Sequence, residues 1–92
     1  MSRHHEYKCI PTYFHAVWQG HKLFEIRQSR RAEGGGDPEG GDTVMLREWD
    51  RETRRYTGRQ IQVHVTYVMH GGRYGLADDH LIFGFTKGVQ AE

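Results

Sequence analysis

The chain has 92 residues, 27% charged and 36% hydrophobic, with a formal net charge of +1 at pH 7. That length builds one core and so one domain, 1–92. The composition excludes a disordered chain. The apolar runs fall short of the ~20 residues that span a bilayer, and the charge is not that of a protein held to DNA by bulk electrostatics.

The first residues, Met1-Ser2-Arg3-His4-His5-Glu6, are polar and lead into no apolar signal segment. The expected location is cytoplasmic, with no membrane partner. The single cysteine, Cys9, has no internal disulfide partner. It reads as a small buried hydrophobe, because no local His/Asn arrangement marks it as an activated nucleophile. Arginines cluster at Arg27, Arg30 and Arg31 and again at Arg51, Arg54, Arg55 and Arg59, while acids collect in a glycine-rich stretch. A locally basic face is one reading, and solvated hairpin tips are the other for the second cluster.

Tyr7–Ile10 is a short strand candidate, with Tyr7 and Cys9 on one face and Lys8 and Ile10 on the other. Pro11 favours the first turn of a helix, and Phe14, Val17 and Trp18 recur at helical spacing. Gly20 supplies the left-handed residue that ends many helices, so 11–19 is expected to be a short amphipathic helix held by tertiary packing.

Leu23–Gln28 is the next strand. Parity places Phe24 and Ile26 in the core and Leu23, Glu25 and Arg27 on the open face. A strand starting at Lys22 would drive its ammonium inward, so Lys22 belongs to the connection, free to turn toward Glu25.

Residues 29–42 read as a surface connection whose glycine-rich part, 32–42, is a flexible loop. A phosphate cradle is disfavoured there. No Lys-Ser/Thr follows, no strand enters, and Asp37, Glu39 and Asp42 would repel phosphate.

Residues 43–49 form a strand, 50–55 a polar connection, and 56–69 a longer strand bent at Gly58. In that strand Ile61, Val63, Val65 and Tyr67 alternate with Gln62, His64 and Thr66. The two strands pair as an antiparallel hairpin. Residues 70–75 are a turn region, Ala77–His80 at most one helical turn, and 81–86 the last strand, with Leu81, Phe83 and Phe85 on one face. The tail after Lys87 is expected to fray. The fold class is mostly β: a small, mainly antiparallel barrel or curled sheet with one main helix, in which closure removes exposed edges.

Lys22, Glu25 and Arg27 form the strongest constellation. Glu25 and Arg27 leave the same strand face, close enough to pair. A carboxylate held by a guanidinium is oriented to accept hydrogen bonds from a base edge or an amine. Arg27 suits a phosphate or a base, and Lys22 adds a second cation or an amine nucleophile. An ordinary exposed salt bridge explains the same spacing.

Of seven histidines, His4-His5 sit at the terminus, expected to be mobile, and the others lack paired ligand spacing, so neither a metal nor another cofactor is expected. His15 and His64 read as solvent-facing. Tyr13, Trp49, Tyr56 and Tyr74 lie at element edges or among polar neighbours. Exposed beside arginines, such rings suit single-stranded nucleic-acid stacking; half-buried with the polar end wet, they need no ligand.

Gly20-x-Lys22-x-x-Glu25-x-Arg27 after a short helix resembles the GxKxxExR signature of ASCH domains, in the PUA-like superfamily. Glu6-Tyr7-Lys8, Pro11-Thr12-Tyr13-Phe14, Gly41-Asp42, Leu46-Arg47-Glu48-Trp49-Asp50, Tyr56-Thr57-Gly58-Arg59, Val65-Thr66-Tyr67-Val68, Gly75-Leu76 and Ile82-Phe83-Gly84-Phe85 are similar to a small bacterial and phage group of ASCH-like domains without assigned function. The resemblance spans residues 5–87. It implies a PUA-like β-barrel with the helix beside a cleft lined by Lys22, Glu25 and Arg27. RNA or a nucleotide-like ligand is the implied partner, with Arg30, Arg31, Lys8 and Tyr13 as further candidate contacts.

Two departures bear on that. After the signature arginine the group usually carries Asn-Asp-Arg and a short link to Gly-Asp; here Ser29-Arg30-Arg31 precede an acidic, glycine-rich insertion. Some ASCH domains are amidohydrolases on an acetylated cytidine nucleoside, in which a lysine at the Lys22 position works with a threonine three residues later. Here that residue is Glu25. A neighbouring carboxylate favours the ammonium, which has no lone pair for attack. The sequence thus favours a nucleic-acid-binding module. Its alternative is an amidohydrolase with Lys22, assisted by Glu25, as the catalytic residue, and a third reading is a protein-interaction adaptor.

Overall fold

A computed structural model describes residues 2–30 and 36–87. Elements follow in the order β1 (His4–Cys9), α1 (Pro11–Trp18), β2 (Phe24–Gln28), β3 (Thr43–Asp50), β4 (Arg55–His70) and β5 (His80–Lys87). They make one five-stranded sheet, ordered β1-β3-β4-β5-β2. The β3–β4 hairpin forms as the alternation predicts, and β4–β5 and β5–β2 are also antiparallel. The β1–β3 pair is parallel, which demands a long crossover, here α1 and β2.

The inward face carries Val44 and Leu46 from β3, Ile61, Val63 and Val65 from β4, and Leu81, Phe83 and Phe85 from β5. Tyr7 and Cys9 of β1 and Phe14 and Val17 of α1 complete this core. Each such aliphatic or aromatic side chain contributes roughly 1.5–3 kcal/mol relative to exposure. Pro11 opens α1 as expected, and the helix packs on β3. Trp18 is less enclosed than its spacing suggested; it lies on the helix flank with its ring 5.7 Å from that of Phe14.

The sheet curls until its two edge strands, β1 and β2, face each other, but the backbone does not close it. Arginine side chains cross the gap: Arg27 Nη2 donates to the Lys8 carbonyl at 2.6 Å and Arg30 Nη2 to the Glu6 carbonyl at 3.1 Å. The expected closure is thus not made by backbone pairing; two guanidinium groups cap the Glu6 and Lys8 carbonyls of β1 instead.

Several local expectations are corrected. The first strand begins at His4, so His4-His5 are not a mobile terminus. His5 is buried, its Nε2 2.9 Å from Asp42 Oδ2. Residues 36–42 of the glycine-rich stretch are anchored: Asp42 accepts from the backbone N–H groups of Arg3 and Glu39, and Asp37 from Ser29 Oγ and the Arg30 N–H. Of the three acids predicted to repel phosphate, Asp37 and Asp42 are structural acceptors, and Glu39 contributes through its backbone. Residues 31–35 and the tail after Lys87 lie outside the described residues. Ala77–His80 forms a turn closed by the His80 N–H on the Ala77 carbonyl.

Two parity assignments are inverted. In β2, Glu25 is 3% exposed while Phe24 and Ile26 are 42% and 50% exposed. In β4 a register shift between Val65 and Tyr67 breaks the alternation: Val68 packs on the core, and Tyr67 turns outward, 72% exposed. A bulge adds one residue and so flips every later side chain.

Candidate functional site: a cationic cleft over a buried carboxylate

The site begins where α1 stops. Gly20 has φ +82°. The Gly20 N–H bonds the Val17 carbonyl and the His21 N–H the Ala16 carbonyl, a Schellman ending that glycine accommodates without strain. The Lys22 N–H also bonds the Ala16 carbonyl, at 3.2 Å, so the lysine backbone is tied to the helix end. From there its ammonium donates to the Phe24 carbonyl at 2.6 Å and to Glu25 Oε2. The Tyr13 and Phe24 rings flank it, with centroids at 5.3 and 4.9 Å.

Glu25 enters from β2 on the inward face. Its Oε1 accepts from Arg27 Nε at 3.1 Å and Nη2 at 2.9 Å. Its Oε2 takes Lys22 and lies 3.9 Å from the Cys9 thiol. A carboxylate can be buried here because two cations balance it and hydrogen bonds occupy both oxygens. The Cys9 thiol is pushed up to about 12 by burial and by the Glu25 charge. It is a packed, buried group, as its sequence context predicted.

Above Glu25 opens a cleft of about 500 Å³, lined by Lys8, Ile10, Tyr13, Lys22, Phe24, Glu25, Ile26, Arg27 and Arg51. Four cations thus surround one acid, and that acid is already paired. Tyr13, 51% exposed, and the outward Phe24 and Ile26 add apolar wall. Lys8 is held with its ammonium 3.9 Å from the Trp49 ring centroid.

Of the residues singled out in the sequence, Lys8, Tyr13, Lys22, Glu25 and Arg27 meet in this cleft. Arg30 lies in the adjoining groove along the β1–β2 seam, its guanidinium 4.0 Å from the Tyr7 ring centroid. Arg31 falls outside the described residues. Sequence reasoning left Arg51 open between a basic face and a hairpin tip without placing it in the site, and missed Phe24 and Ile26, assigned to the core. The exposure of Phe24 and Ile26 has a sequence signal in hindsight: Glu25 and Arg27 share a face that can neutralise itself.

Another buried carboxylate lies under α1. Glu48 accepts from Thr57 Oγ1 and from Arg59 Nε and Nη2, both nitrogens at 2.9 Å. The Arg59 guanidinium holds the Glu48 carboxyl below the usual glutamate value, against the opposing effect of burial. Arg59 also lies beside the Phe14 and Trp18 rings, so this pair fastens the helix to the sheet. Among the described residues, no three His, Cys, Asp or Glu side chains are grouped to hold a metal ion, and no helix is long and apolar enough to cross a membrane.

None of the curated proteins compared with this chain matches it. Residues 4–85 match a family model described as a domain of unknown function (DUF3850). That match covers nearly the whole sheet and all of the cleft, and the chain belongs to this family.

Proposed function

We propose that the protein is a nucleic-acid-binding module, taking RNA or a nucleotide-like ligand in the Lys22/Glu25/Arg27 cleft. The observation that carries this reading is the cleft's composition. Lys8, Lys22, Arg27 and Arg51 supply positive charge for phosphate, and Tyr13 and Phe24 supply ring faces for a base. The resemblance to ASCH domains supports the same ligand class. Both oxygens of Glu25 are engaged, so its role in this reading is to orient Lys22 and Arg27, not to read a base edge.

Fluorescence anisotropy with labelled RNA and single-stranded DNA, at low and high salt, tests the proposal. Binding should weaken as salt rises, and Arg51→Ala or Lys22→Ala should weaken it further and lower the salt slope by about 1 each. Salt-insensitive binding, or binding indifferent to both substitutions, refutes it. The amidohydrolase alternative is disfavoured by the Lys22 ammonium, which donates to Glu25 and the Phe24 carbonyl. Incubation with acetylated cytidine checks it: deacetylation lost in Lys22→Ala would reinstate the alternative.

A further inference from the structure

Two of the inverted residues, Phe24 and Tyr67, stand in one row of the sheet. Phe24 on β2 and Tyr67 on β4 are both register partners of Gly84 on β5. Gly84 has the outward parity, since its neighbours Phe83 and Phe85 are buried. The row therefore presents two exposed rings on either side of a residue with no side chain. Adjacent strands are about 4.8 Å apart, which puts the two ring-bearing backbones about 10 Å from each other. A planar group seated between them would lie about 5 Å from each ring, within the range of aromatic stacking.

The row also joins two depressions. Phe24 lines the cationic cleft, and Tyr67 lines a second cleft of about 440 Å³ with Met69, His70, Arg73 and Tyr74. Tyr74 is 89% exposed. Beside the row, Ile26, Ile82 and Met69 form a parallel apolar shelf on the same face. Positive charge gathers at one end, with Lys22, Arg27 and Arg51; at the other, Arg73 lines the cleft and Asp78 lies beside the adjoining Gly72.

We infer that this outer face is a stacking track for single-stranded nucleic acid, running from the Lys22 cleft over Gly84 to the Tyr67–Tyr74 cleft, with a base held between Phe24 and Tyr67. The inference rests on the proposed cleft function and extends it, naming an oligonucleotide of at least about four nucleotides as ligand instead of a mononucleotide. Aromatic side chains on an open sheet face stack bases in this way, and the glycine opposite the β4 register shift leaves room for a ligand to approach the strand closely. Charge favours this occupant over a second copy of the chain, because the Lys8, Lys22, Arg27 and Arg51 cations at the head of the row suit a polyanion.

The test compares a labelled uridine mononucleotide with labelled oligouridylate and oligodeoxythymidylate of about twelve nucleotides. The variants are Tyr67→Ala, Gly84→Leu and Lys22→Ala. Tyr67 is exposed, so its truncation spares the core. A Cβ at Gly84 meets only Thr66 Oγ1 at 3.7 Å and the Leu23 carbonyl oxygen at 3.8 Å, ordinary contacts, so the larger side chain fills the slot from outside. Circular dichroism melts confirm folding of each variant.

The track predicts that Tyr67→Ala and Gly84→Leu each weaken oligonucleotide binding about tenfold while leaving mononucleotide binding unchanged, and that Lys22→Ala weakens both. Oligonucleotide binding lost in Lys22→Ala but intact in Tyr67→Ala and Gly84→Leu overturns the track and leaves the cleft standing. No binding by any probe overturns both. A sedimentation shift on Tyr67→Ala without a change in oligonucleotide affinity assigns the face to self-association and overturns the track.

Discussion

Arg27 Nη2 donates to the main-chain carbonyl of Lys8 at 2.6 Å, and this bond joins the two edges of the sheet. The same guanidinium holds the buried Glu25. One side chain thus helps bridge the gap in the curled sheet, orients the carboxylate and lines the cleft. Arg27→Ala should lower stability by about 1–3 kcal/mol, because Glu25 loses a charged partner while Lys22 remains. Urea denaturation measures this as a lower midpoint. Arg27→Lys should recover only part of the loss, since an ammonium cannot make the forked contact and reach Lys8 together.

Gly20→Ala should cost about 1–2 kcal/mol through backbone strain alone, because φ is +82° and nothing lies within 4 Å of the added methyl. The Schellman ending also sets where Lys22 starts, so oligonucleotide affinity should fall along with the thermal midpoint. A loss of stability with unchanged affinity would separate the helix end from the cleft.

Acid should destabilise the fold in a defined window. Glu48 sits below its ordinary value of 4.5, chiefly through Arg59. Asp42 sits below 3.8: burial pushes it up, and the Arg3 and Glu39 N–H groups with His5 more than offset that. Both folded values are depressed, so the unfolded chain binds more protons. The associated stability is complete above the ordinary carboxylate range and is lost as pH falls through it toward the folded values. Urea midpoints should be level above about pH 5 and fall below about pH 4.5. Glu48→Gln should flatten that decline.

Cys9 should resist thiol reagents in the folded protein at pH 8, because its thiol is buried and pushed up to about 12. Reaction with a chromogenic disulfide should be slow in buffer and complete on adding guanidinium chloride. Fast labelling under native conditions would mean that the seam between β1 and β2 opens readily.

The sequence by itself determined the class of fold, the short helix with its Gly20 stop, the hairpin and the last strand, because period-two and helical spacing are local signals. It also brought Lys22, Glu25 and Arg27 together, since a three-residue reach after a glycine turn needs no distant information. Tertiary structure decided which way β2 faces. Parity gives two faces but not which is inward, and hydrophobicity chose Phe24 and Ile26. The fold chose Glu25, because Arg27 and Lys22 neutralise it at the seam that Arg27 must bridge. Tyr67 followed the same course for another reason: a one-residue register shift, invisible in the alternation of Ile61, Val63 and Val65, turned it out. The parallel β1–β3 pairing and the meeting of β1 with β2 likewise depend on contacts between distant segments, which spacing along the chain does not encode.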